Sequence, residues 1–131
     1  MFWNKNKDKN IGSLGEKEAG KYLEKKGFKI IEFNYQNKKG KRLGEIDIIA
    51  REGQQIVFVE VKSRISKGLE IILPEENITR DKLYKLQKIA QSYIKENDYW
   101  DQSYRFDAVT ILFDEGGKNI LKLRHLESIF Y

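Results

Sequence analysis

The chain has 131 residues, 40% hydrophobic and 12% aromatic, enough for one domain with one core and unlike the composition of a disordered chain. It has no cysteine and one histidine, His125, which excludes a disulfide scaffold, a zinc–thiolate or multi-histidine site, a cysteine nucleophile and a Ser-His-Asp triad with a choice of bases. A formal charge of +5 and a pI near 9.3 suit a polyanionic partner, and the absence of a long apolar run or signal-peptide core predicts a soluble cytoplasmic protein with no membrane association.

Residues 1–10 are polar apart from Phe2 and Trp3 near the start, and read as a flexible N-terminal arm ahead of a single domain over 11–131. Ile11 to Lys26 carries a helical stripe of Ala19, Tyr22 and Leu23, stopped by Gly27. Glu16 falls on that same face, and Ser13-x-x-Glu16 also has the form of a capping box. Phe28 to Tyr35 reads as a strand. A cationic loop follows, with Lys38, Lys39, Lys41 and Arg42, and then two β-branched runs, Glu45–Arg51 and Ile56–Lys62. Gly53-Gln54 between these runs predicts a two-residue hairpin of the II′ kind. Residues 63 to 78 lack periodicity and predict a loop or short edge strand interrupted by Pro74. Thr79 to Glu96 is a second amphipathic helix, and Tyr104–Phe113 and Asn119–Leu126 are two further strands. Helix, three strands, helix and two strands make an α/β domain with a mixed sheet, and the helical crossover favours a parallel pair between strands three and four.

The hairpin carries the chemistry. With Gly53 and Gln54 at the turn, Asp47 is set opposite Glu60 and Glu45 opposite Lys62, and alternation sends Asp47, Glu60 and Lys62 to one face. Two opposed carboxylates in an apolar sheet require either a shared proton or a divalent cation. A hard ion such as Mg²⁺ would draw oxygens from Asp47, Glu60 and the Val61 carbonyl, while Lys62 orients or helps activate a water. The plainer reading pairs Lys62 with Glu45 or Glu60 on a solvent-facing sheet. Glu45 itself reads as a peripheral partner of Lys62.

These residues resemble a known pattern. Asp47…Glu60-Val61-Lys62 is similar to the motif of the PD-(D/E)XK, restriction-endonuclease-like superfamily. Gly44-Glu-Ile-Asp47, Phe58-Val-Glu-Val-Lys62 with Ser63-Arg64, Lys82, Arg105-Phe-Asp107 and the opening Gly15-Glu16-x-x-Ala19-x-x-Tyr22-Leu23-x-x-x-Gly27 resemble the bacterial YraN family, grouped with Holliday-junction-resolvase-like nucleases. The resemblance implies a restriction-endonuclease-like mixed β-sheet flanked by helices. It also implies Mg²⁺- or Mn²⁺-dependent hydrolysis of nucleic-acid phosphodiesters; the family supplies no physiological substrate, and DNA, with branched or flapped forms as candidates, is the substrate expected. Asp47, Glu60, the Val61 carbonyl and Glu16 become the expected metal ligands, and Lys62 the residue that manages the water. The segment around Leu69 to Glu76 departs from the family as an insertion-like loop.

Lys38, Lys39, Lys41, Arg42, Arg64 and Lys82 are the candidate nucleic-acid contacts, with Lys67 and Arg80 flanking them. For Lys82, a phosphate contact and a lysine head merely reaching solvent stand side by side. Arg105 and Asp107 share a strand face and read as a bracing ion pair, and His125 reads as structural. Tyr99, Trp100 and Tyr104 suit core or dimer packing more than base stacking. Resolvase-like chemistry would call for a two-fold homodimer. A nuclease-like fold that only binds nucleic acid, without cleaving it, is the rival functional class.

Overall fold

Helix α1 (Lys5–Lys25) opens the computed structural model, which describes residues 5–37, 44–67 and 79–129, with side chains from residue 11 onward. The helix starts six residues before the expected first residue, Ile11. Periodicity cannot register its polar first turns, and some of the expected arm is therefore helical. Five strands follow: β1 (Lys29–Gln36), β2 (Glu45–Glu52), β3 (Gln55–Ile65), then, after helix α2 (Arg80–Asn97), β4 (Tyr104–Phe113) and β5 (Ile120–Leu126). They form one sheet in sequential order, antiparallel throughout except for the parallel β3–β4 pair. This is the expected α/β class, with the parallel neighbour where the crossover helix required it.

Each helix covers one face. Ala19 and Leu23 of α1 are fully buried against Val57, Val59, Val109 and Ile111, whereas Leu86, Ile89, Ala90 and Tyr93 of α2 close over Ile46, Ile49, Phe58 and Phe106. Thr79 caps α2, its hydroxyl accepting from the Lys82 N–H at 3.3 Å. At the other end Asp98 adopts the left-handed conformation and donates its N–H to the Ile94 and Lys95 carbonyls. The hairpin register is as expected, from Glu52↔Gln55 to Ile48↔Val59, and Gly53 supplies the positive φ (+60°) that its turn needs. Among the described residues, no helix is long and apolar enough to cross a membrane.

One irregularity positions the site. Ile48 packs under α1 but Ile46, two residues away, packs under α2; on β1 Phe33 pairs with Ile48 and Tyr35 with Ile46, and Tyr35 too lies under α2. A regular strand would put residues two apart on one face. Both strands therefore switch faces at the rung that holds Asn34 and Asp47, where Asn34 takes a left-handed φ of 55°. Pairing of β2 with β3 ends just there, at Ile48↔Val59.

Candidate active site

The expected opposition of Asp47 and Glu60 as a ladder pair is not what forms. The strands separate a rung earlier, and the Asp47 carboxylate enters the gap, where its Oδ2 accepts the Val61 N–H at 2.8 Å. A side chain has replaced the backbone acceptor of an ordinary antiparallel rung. Glu60 still lies near enough for its charge to raise the Asp47 carboxyl, so the two carboxylates meet by way of the splay and not by facing pleats. The Val61 side chain lies in the core under α1, and its carbonyl, expected as an oxygen donor, belongs to the residue whose N–H anchors Asp47.

Glu16 arrives from α1. Because the helix begins at Lys5, Ser13 and Glu16 lie well inside it, and no capping box exists there. Glu16 instead contacts Asn34 and Asp47 with its side chain. Glu16, Glu45 and Asp47 each present a carboxylate oxygen within 4.8 Å of the other two. Glu45, expected opposite Lys62, thus joins the cluster, held also by Gln36 Nε2 at 3.4 Å from its Oε2. Its spacing from Asp47 is the signal that could have found it: two residues apart on one strand, both acidic.

The electrostatics follow from that crowding. Burial pushes the Asp47 carboxyl up to about 8, helped by the Glu60 charge and opposed by the Val61 N–H. Burial also raises Glu16, against the Asn34 hydrogen bond and with the Glu45 charge adding to it. Without a cation, the group must keep a proton at neutral pH.

On the far side Lys62 Nζ lies 3.1 Å from Glu60 Oε1, and its side chain also contacts that of Lys82, from the first turn of α2. Burial would lower Lys62, yet its contacts with Lys82 and Glu60 hold it above its ordinary value; Lys82 is lowered by Lys62 first and by burial second. Among the described residues no carboxylate lies within ion-pairing distance of Lys82. Two lysine side chains brought together beside carboxylates form a natural seat for an anionic oxygen, which would favour the charged form of both. Arg64 is half-buried, further along the β3 face of Glu60 and Lys62. Lys38, Lys39, Lys41 and Arg42 lie outside the described residues.

Arg105 and Asp107 do form the expected pair, Nε to Oδ1 at 3.0 Å and Nη2 to Oδ2 at 3.1 Å. His125, whose side chain is almost wholly buried, adds a bond at 2.8 Å to Asp107 Oδ2. Of the three aromatics, Tyr99 packs beside Tyr93 and under Arg51, Tyr104 lies edge-on to Phe58 and Phe106, and Trp100 is exposed.

A mixed α/β sheet, opened at its centre to gather carboxylates from two strands and a helix beside paired lysines, defines the class of this protein. The chain belongs to the family described as Uncharacterised protein family UPF0102, whose model matches residues 15–111, a span that holds every acid and lysine of this site. A UPF0102 protein of Caldanaerobacter subterraneus subsp. tengcongensis is 41% identical over 122 residues, covering 93% of this chain and 95% of the relative. Those of Pelotomaculum thermopropionicum and Dictyoglomus thermophilum are 39% and 38% identical over 93% and 94% of this chain, and over 96% and 98% of their own lengths.

Proposed function

We propose that this protein is a metal-dependent nuclease that hydrolyses DNA phosphodiester bonds, branched forms included, and that its site is of the PD-(D/E)XK kind. The observation that carries the reading is the convergence of Glu16, Glu45 and Asp47 within 4.8 Å, with Glu60 against Asp47 and Lys62 3.1 Å from Glu60. The donor set fits a hard divalent ion: all oxygen, all carboxylate, with Asp47 pushed up to about 8 by burial and then by the Glu60 charge. Glu16, Glu45 and Asp47 would hold Mg²⁺ or Mn²⁺, with Glu60 and the Val61 carbonyl beside them. Bound there, the ion would neutralise charge on the attacked phosphate and make water a better nucleophile.

The chain's own groups supply the rest. Asp47 is fixed by the Val61 N–H, so the cluster needs little reorganisation. Lys62, tethered by Glu60, orients the attacking water, and Lys82 meets a phosphate oxygen. A cleavage panel of single-strand, duplex, flap and four-way DNA in Mn²⁺ tests the reading. Lys62→Ala should lower turnover about 10²–10⁴-fold. Glu16→Gln should abolish cleavage and leave the melting temperature near wild type. No cleavage of any substrate, with salt-sensitive binding indifferent to Asp47→Asn, would make the protein a binding module instead.

A further inference from the structure

Beside the acidic cluster, α1 and β1 enclose an open groove of about 350 Å³ that the proposed chemistry leaves unused. Its floor is Phe33, 44% exposed, and Glu16 and Asn34 form the wall it shares with the cluster. Gly20 stands over one side of the ring: a Cβ there would come within 2.9 Å of Phe33 Cζ, so the ring lies close against the helix at this residue. The ring is thus braced on one side and open on the other. Lys17 and Lys21, both exposed, edge the groove together with Glu24, and Glu18 lies 3.7 Å from the Lys21 ammonium.

A large apolar ring on an edge strand is a liability unless something covers it. A cation held by Glu16, Glu45 and Asp47 would offset the neighbouring carboxylates, leaving Lys17 and Lys21 to draw a polyanion. The stacked bases of a duplex have their faces covered, whereas an unpaired base presents a free π-face. We propose that this groove receives an unpaired nucleotide of the DNA strand, its base stacked on Phe33 and its backbone along Lys17 and Lys21, so that Phe33 selects substrates with single-stranded character next to the cleavage point. This rests on the nuclease reading and adds to it a class of substrate.

Fluorescence anisotropy with the full chain in Ca²⁺ reads it, using an end-labelled single strand, a flapped duplex and a blunt duplex. Phe33→Ala and Phe33→Leu should weaken binding of the first two by about 5- to 100-fold, with the blunt duplex changed by less than about twofold. Phe33→Trp should retain affinity and show emission quenched by the single strand, above the signal of Trp3 and Trp100. Phe33→Leu keeps apolar volume, so its loss cannot be laid to unfolding if its melting curve matches wild type. Equal affinity of wild type and both variants for the single strand, or an equal loss on all three substrates, overturns the groove. If wild type binds and cleaves while these variants lose nothing, the groove alone falls; if wild type neither binds nor cleaves any of the three, the nuclease reading falls with it.

Discussion

Asp47 concentrates the conflict between folding and function. Its folded pKa, about 8, exceeds its ordinary 3.8, so the metal-free native state keeps a proton that the unfolded chain has released. The stability linked to that proton is complete below 3.8 and is lost as pH rises through about 8. Asp47→Asn removes the titration yet can still accept the Val61 N–H through its amide oxygen. In EDTA at pH 8 the variant should be about 0.5–2 kcal/mol more stable than wild type, as is common where a site carries strained charge. The same variant should no longer be stabilised by Mn²⁺. Thermal melts across pH with EDTA or Mn²⁺ decide the matter. A wild type whose stability ignores pH, with a variant no more stable, would place the carboxylate in water and not in the gap.

Helix α1 delivers Glu16, and its seating depends on Gly15. A Cβ at that position would collide with Ser63 Oγ, a buried hydroxyl with no hydrogen-bond partner among the described residues. Gly15→Ala should therefore lift the helix or force Ser63 aside, costing about 1–3 kcal/mol. Ser63→Ala should be close to neutral or slightly stabilising, because an unsatisfied group is removed. Ser63→Gly combined with Gly15→Ala should recover much of the loss, a coupling that urea unfolding of the four proteins measures. Simple additivity would mean that the helix does not rest on this contact. Recovery of stability with cleavage still depressed would show that the angle of α1 also sets the reach of Glu16.

Across the molecule, one buried network ties the last strand and the C-terminal residues to the rest. Asp107 is fully buried, and its oxygens accept from Arg105, His125 and the Ser128 N–H at 3.0 Å. Arg105 also reaches Glu52 and Gln55 at the hairpin, while Lys26 of the turn after α1 lies 3.4 Å from His125 Nδ1. Burial would raise Asp107, but His125, Arg105 and Ser128 together hold it below its ordinary value. Here the sign is opposite to that of Asp47. The contribution is present above 3.8 and is lost as pH falls through the lower folded value. Asp107→Ala should cost about 3–5 kcal/mol, since the Arg105 guanidinium is left without its buried partner. Chemical denaturation checks this, and a loss under about 1 kcal/mol, the worth of an exposed pair, would mean that the network is wet.

Periodicity alone determined the strands, the helix faces, the hairpin register and the parallel β3–β4 pair, because each is written in local spacing: two for a strand, 3.6 for a helix, a glycine for a turn. It also set Asp47, Glu60 and Lys62 on one face, while the family resemblance singled out Glu16 as a site acid. The tertiary structure alone decided how they meet. Alternation assumes a regular strand, and the left-handed Asn34 opposite Asp47 breaks it, turning a facing pair into a carboxylate inserted between separated strands and leaving Phe33 exposed beside it. The bond from His125 to Asp107, 18 residues away, likewise depends on which strands lie side by side, and local spacing does not carry that.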